Sequence, residues 1–198
     1  MTTERVTVAA VAQSVTDGDH QPPPKADTGI PFIFISNIIN GYIDFSGCSW
    51  VLADYFAALR PARLPQRGDV LYSAVGTYGI PCVVDTEAPF CFQRHIAIIK
   101  PDRKRIVPRY LAWALSSSDV FDQATRAATG STQLTVPLRA IRNLRFPLPS
   151  LQSQHRVVTY LDGIQAKANA VKRLQAESVT ELDALLPAVL DKAFRGEL

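Results

Sequence analysis

Residues 154–190 read QHRVVTYLDGIQAKANAVKRLQAESVTELDALLPAVL. Apolar side chains recur there at alternating steps of four and three, through Val157, Leu161, Ile164, Ala168 and Val171, and again at Leu182, Leu185 and Val189. This spacing is the heptad seam of a helix that needs a partner. Continuing the register places Gln175 and Ser178 at its polar positions, near the centre of the run. Polar seam residues lower stability but restrict register, so an antiparallel two-fold pair in which they meet at mid-length is the natural arrangement. The competing reading folds the helix back onto its own domain. A head of about 150 residues is small to cover a rod of roughly 55–60 Å, at 1.5 Å per residue. Pro187 is expected to kink or end the helix, because it removes a donor and crowds the preceding turn.

Residues 1–149 then form the globular part, and residues 150–198 a long helical dimerisation and spacer region. The expected fold is mixed α/β of the α+β kind, a strand-rich domain with a few helices followed by one long C-terminal helix. Short apolar or alternating runs predict strands over residues 30–35, 41–45, 70–73, 83–84, 96–99 and 141–146. Residues 53–60 have a helical look, and Pro108 opens a helix ended by Ser116, Ser117 and Ser118. Ser118 and Asp119 are suited to cap a second helix that Gly130 stops. Tyr110, Trp113 and Phe121 at helical intervals read as core, and Pro147-Leu148-Pro149 as a stiff hinge.

Hydrophobic residues make up 47% of the 198, enough for one medium domain with an appendage. Cys48, Cys82 and Cys91 have no paired C-x-x-C spacing, so they read as structural thiols rather than a disulfide framework or a zinc site. No apolar run approaches the roughly 18 residues of a membrane span, and the N-terminus lacks a signal-peptide pattern, so a cytoplasmic location is expected. The net charge is only +3, but residues 1–59 carry two bases against six acids while residues 94–145 carry ten bases against three. Arg94, Lys100, Arg103, Lys104, Arg105, Arg109, Arg126, Arg139, Arg142 and Arg145 either form one basic face suited to a phosphate backbone or are solvated charges with no common face.

Several motifs fall in a telling order: Asp17-Gly18-Asp19-His20, Ile30-Pro31-Phe32-Ile33, Gly68-Asp69-Val70-Leu71-Tyr72, Gly76-x-x-Gly79, Gly130-Ser131-Thr132-Gln133 and Phe146-Pro147-Leu148-Pro149. The heptad helix follows, ending Ala193-Phe194-Arg195-Gly196-Glu197-Leu198. Over nearly its whole length the chain resembles the DNA-specificity (S) subunit of type I restriction–modification systems. Such subunits usually hold two target-recognition domains and two helices, whereas this chain has one of each and so resembles a half-subunit. Ser153 stands where the family commonly has a glutamate.

The resemblance implies a non-catalytic reader of double-stranded DNA that pairs with a second copy through its helix. It also implies partner methyltransferase subunits clasping the paired helices and, where the system restricts, a restriction subunit. S-adenosylmethionine, and magnesium with ATP if DNA is cut, would be used by those partners, with no cofactor bound here. Two heads on a two-fold axis imply a split, palindromic target, since equivalent major-groove faces recur about every 34–36 Å. Candidate DNA contacts are Lys25, Asn37, the Gly76, Thr77 and Tyr78 loop, the Arg94-His95 pair, and Ser131, Thr132 and Gln133. Asn37 and Gln133 suit adenine, and Lys25 and Arg94 suit guanine or phosphate. The Gly76 and Gly79 pair also reads as an ordinary strand-connecting turn. No P-loop, methyltransferase tetrapeptide or nuclease carboxylate cluster occurs. A protein–protein adaptor that keeps the scaffold without reading DNA is the rival expectation.

Overall fold

The computed structural model of the chain describes residues 4–19, 23–39 and 41–197. His20 and Leu198, quoted above in motifs, lie outside them. The chain divides into two compact units, Met1–His155 and Arg156–Leu198. In chain order the first unit runs through strand β1 (Arg5–Thr7), helix α1 (Val8–Val11), β2 (Ala12–Asp17), β3 (Lys25–Ala26) and β4 (Ile30–Ile33). A 3-10 turn (Ile35–Asn37) leads to β5 (Ile38–Ile39), β6 (Tyr42–Ile43), β7 (Ser49–Val51) and α2 (Ala53–Ala58). A second 3-10 turn (Pro61–Arg63) precedes β8 (Val70–Ser73), β9 (Pro81–Val83), β10 (Cys91–Phe92) and β11 (Ile96–Pro101). Helices α3 (Pro108–Leu115), α4 (Ser118–Ala127) and α5 (Leu138–Asn143), then β12 (Arg145–Pro147), lead into α6 (Leu151–Phe194). This is the expected α+β fold.

Two four-stranded sheets organise the head. One has the order β2-β11-β8-β9, antiparallel throughout, and the other the order β10-β4-β7-β3, in which only β10 and β4 run parallel. Strand β11 lies inside its sheet between β2 and β8, and successive side chains Ile96, Ala97, Ile98 and Ile99 are all fully buried, so both of its faces are covered and the run is unbroken apolar instead of alternating. Ile33, Leu71, Cys82, Phe90, Ile96 and Ile98 pack into one core joining the two sheets. Each such aliphatic side chain contributes about 1.5–3 kcal/mol when fully buried. Burial also pushes the Cys82 and Cys91 thiols up to about 12, so both stay protonated and unreactive.

Helix α3 starts as expected, with Pro108 in its first turn and Tyr110, Leu111, Ala112 and Leu115 buried. The α4 cap lies one residue earlier than the spacing suggests: the Ser117 hydroxyl accepts from the Val120 amide at 3.4 Å. The expected strand over 141–146 is corrected. Residues Leu138–Asn143 are helical behind Pro137, and the strand begins only at Arg145. Ile141 and Leu144 are both buried, a three-residue spacing that suits a helical turn and not a strand.

Helix α6 does not end at Pro187 but continues to Phe194. The residues around Pro187 are exposed, so water can satisfy the Asp183 carbonyl that loses its intrahelical donor. The first turn of α6 belongs to the head. Gln154 is fully buried there, and its side chain accepts from the Val107 amide at 2.8 Å while donating to the Arg105 and Pro149 carbonyls at 3.1 and 2.9 Å.

Candidate nucleic-acid interface

Strand β7 owes its position to pairing with β4 on one side and β3 on the other, which sets Trp50 opposite Pro31 and Ala26. The turn between β10 and β11 closes over this sheet edge, where the Gln93 amide donates to the Ile33 carbonyl at 3.1 Å. Together they shape a recess of about 360 Å³ walled by Phe32, Phe34, Trp50 and Val51, with Lys25, Arg94 and His95 also in its lining. Phe32 and Phe34 meet edge to face at 5.3 Å, which fixes the aromatic wall. Lys25 and Arg94, 69 positions apart in the sequence, are thus brought to one opening together with His95.

The acid in this recess is already engaged. Asp19 accepts from Arg63 Nη1 at 3.2 Å and from the Tyr55 hydroxyl at 3.5 Å. Its carboxylate and the desolvation of Tyr55 push that phenol up to about 12, with burial the larger cause. Arg94 Nε donates to His95 Nε2 at 3.4 Å. Burial first, and then the Arg94 charge, hold the His95 imidazole below its ordinary 6.5, so it is neutral at pH 7 and able to accept as well as donate.

A hydrogen-bonded path connects this opening to the two candidate loops. The Ala74 amide donates to the His95 carbonyl at 2.9 Å, and the Gly76 amide donates to the Leu134 carbonyl at 2.8 Å. Thr77, Ser131, Thr132 and Gln133 are exposed along that path. Gly76 has φ +69° and a Cβ there would stand 2.9 Å from Gln133 Nε2; at Gly79, φ +88°, it would stand 2.7 Å from the Phe121 ring. Both glycines are therefore favoured by backbone conformation, and Gly79 also by the close approach of the ring, whereas the Gln133 amide can swing away from position 76. Tyr78 does not project alone: its ring stacks on Phe121 at 5.6 Å and its hydroxyl lies 3.2 Å from Thr125 Oγ1. Phe121, expected in the core, is 43% exposed and serves as the platform for this loop. Beneath it Tyr72 is fully buried, and its hydroxyl has no hydrogen-bond partner among the described residues.

Asn37 is placed differently from its expected role. It is 6% exposed, its Oδ1 accepts from the Phe34 amide at 2.9 Å, and its Nδ2 donates to the Asp44 and Ser46 carbonyls at 2.8 and 3.2 Å. The side chain braces the 34–46 loop and retains no amide proton for an adenine. The basic residues of 94–145 also divide. Lys100 forms a 2.6 Å ion pair with buried Asp69, Arg142 donates to the Val15 carbonyl at 2.6 Å, Arg145 donates to the Arg5 carbonyl at 3.2 Å, and Arg103 and Arg105 donate to the Arg67 and Ala10 carbonyls. Trp50 and Phe34 were not anticipated. The signal for Trp50 was the Ser49-Trp50-Val51 triplet, β-favouring residues beyond Gly47. Among the described residues no group of three or more His, Cys, Asp or Glu side chains could hold a metal ion.

On α6 the seam residues Val157, Ile164, Ala168, Val171, Leu182, Leu185 and Val189 are exposed, and Leu161 is half-buried.

Residues 21–179 match the family model described as the type I restriction modification DNA specificity domain. The type I restriction enzyme EcoBI specificity subunit of Escherichia coli is 26% identical over 178 residues, covering 90% of this chain and 37% of that protein. The StySPI specificity subunit of Salmonella potsdam is 28% identical over 108 residues, 54% of this chain and 23% of the other. A solved structure from work on complex assembly and conformational transition of the type I R-M system aligns with TM-score 0.75 and 28% identity, over 98% of this chain and 46% of its own. The HsdS subunit from Thermoanaerobacter tengcongensis aligns with TM-score 0.65 and 29% identity, over 98% and 45%. The chain thus spans less than half the length of these relatives and neighbours.

Proposed function

The chain belongs to the type I restriction modification DNA specificity domain family, and from that premise we propose that it reads the base sequence of double-stranded DNA and leaves catalysis to partner subunits. The observation that carries this reading is the joined surface of the head. Three stretches distant in sequence, residues 93–95, 74–79 and 131–134, are held side by side by backbone hydrogen bonds, with cationic, amide and hydroxyl side chains along their exposed edge. Lys25, Arg94 and His95 supply charge and donors at one end, and Thr77, Ser131, Thr132 and Gln133 supply neutral donors and acceptors at the other. Cations fix register on the phosphates while neutral polar side chains discriminate base edges.

Helix α6 is the pairing element in this reading. Its seam joins a second copy in an antiparallel pair, so that two heads meet a bipartite, palindromic site. DNA methyltransferase subunits, and a restriction subunit where present, assemble on that pair. They use S-adenosylmethionine, and magnesium with ATP for cutting. The described residues contain no helix long and apolar enough to cross a membrane, which is compatible with work on DNA in the cytoplasm.

Footprinting of the chain in complex with its partner methyltransferase tests the proposal. It should protect two half-sites related by a two-fold axis, with affinity falling steeply as salt rises. Salt-insensitive binding to the methyltransferase without affinity for DNA would instead identify an adaptor. Methylation mapping of cells with and without the gene gives an independent check, because a modified split palindrome should vanish with it.

A further inference from the structure

A second opening lies between α4 and α5. Arg126 from α4, Thr129 from the connecting loop, and Arg139 and Asn143 from α5 line an open groove of about 570 Å³. Both arginines are exposed, and neither guanidinium makes a hydrogen bond or ion pair among the described residues, unlike Arg103, Arg105, Arg142 and Arg145. No carboxylate belongs to the lining. Asp119 is near enough for the Arg126 charge to help hold its carboxyl below the usual range, but the hydrogen bond from Arg5 is the larger cause, and Arg5 occupies it at 2.5 Å. Asp122 sits one turn before Arg126 on α4.

The groove is mechanically continuous with the reading surface. Thr129 and Thr135 exchange backbone hydrogen bonds of 2.8 Å in both directions, and Thr135 bridges Val75 at the entrance to the Gly76 loop. Two guanidiniums flanking an open channel, beside loops that present neutral polar groups, match the division of labour in DNA recognition, in which phosphate contacts position and other side chains specify. The planar fork of arginine suits phosphate oxygens better than a point charge does.

We propose that Arg126 and Arg139 are positioning residues that grip the sugar–phosphate backbone of the same duplex whose bases the 76–79 and 131–133 loops contact. This assignment rests on the DNA-reading function proposed above. It extends the interface beyond the recess at Lys25 and Arg94, and selects two arginines from the ten bases that the charge pattern of residues 94–145 grouped together.

The test uses the full chain in complex with its partner methyltransferase and two probes, a duplex selected for tight binding and a scrambled duplex of the same length, titrated between 50 and 200 mM salt. The double variant Arg126→Ala/Arg139→Ala should bind both duplexes more weakly by a similar factor, on the order of tenfold at the lowest salt, and the slope of log affinity against log salt should fall by about 2. The ratio of affinities for the two duplexes should stay unchanged. Arg126→Lys/Arg139→Lys keeps the charge and should keep most of the slope, which also separates loss of contact from loss of fold. Unchanged affinity and slope in the alanine variant would overturn the anchor and leave the reading function standing. Loss of discrimination between the duplexes would overturn it too, since the arginines would then be reading bases. Failure of the selection to yield any duplex that the wild-type complex binds would overturn the reading function and the anchor with it.

Discussion

Up to His155 the chain hides most of its large aliphatic side chains, with Ile33, Leu71, Ile98 and Leu111 fully buried, whereas from Arg156 onward Ile164, Val171, Leu182 and Leu185 stand between 47% and 65% exposed. The two regions use similar residues in opposite ways. In the head, two sheets close on each other and Asp69, drawn inside, is matched: it accepts from Lys100 at 2.6 Å and from the Gln66 amide at 2.9 Å. In the helix, backbone hydrogen bonds are satisfied locally and the apolar stripe is not. The head thus covers most of its apolar surface within one chain, while the exposed stripe of the helix retains the hydrophobic driving force that the proposed pairing would use.

The contrast is broken most severely at the seam. Leu161→Asp with Leu182→Asp places unpaired charge in the proposed helix pair, at a cost of about 3 kcal/mol or more per site, and should convert a dimer to monomers in light scattering. A dimer that persists would refute the register. Next in size is Gln154→Leu, which strips the partners from the Val107 amide and two carbonyls inside the head. Leaving such groups unsatisfied costs about 1–3 kcal/mol, so thermal unfolding of the head should begin roughly 3–10 °C lower, while association through the helix is retained. An unchanged melting temperature would show that water replaces the side chain.

Arg94→Ala has a smaller effect, confined to the reading surface. It should weaken DNA binding several-fold and reduce the salt slope by about 1, without altering dimerisation; unchanged affinity would remove Arg94 from the interface. The smallest expected effect is on His95. Its folded-state pKa is depressed, so the unfolded chain takes up the proton first, and His95's contribution to stability is intact above about pH 6.5 and falls as pH drops below it. NMR titration should place the imidazole midpoint below 6.5, and Arg94→Ala should raise it by removing the second cause of the shift. A midpoint that does not move would mean that burial alone sets it.

Regular periodicity made the long helix, the strand at 70–73 and the Pro108 helix legible, because each rests on local spacing and a recognisable start signal. The α5 segment was misread because Ile141-Arg142-Asn143-Leu144 alternates in polarity only in part, and the deciding influence, Pro137 just ahead of it, lies outside the run. Asn37 looked like a base reader because an amide's partners are set by the 34–46 loop closing around it, which no linear pattern encodes. Phe121 looked like core because helical spacing does not reveal that a neighbouring loop, pinned by Gly79, lays a tyrosine over it. Of the site, Lys25, Arg94 and His95 were named from residue chemistry, but their meeting at one opening depends on pairing between β4 and β10, strands separated by some sixty residues.

The bonds made by Gln154 also set where the polypeptide can be divided. Pro147-Leu148-Pro149 invites a cut, yet a fragment ending there would leave the Val107 amide, the Arg105 carbonyl and the Pro149 carbonyl without the side chain that joins them. An excised head, or a chimera grafting this head onto another stalk, should carry the sequence through His155, so that the seam between donor and recipient falls one turn into the rod.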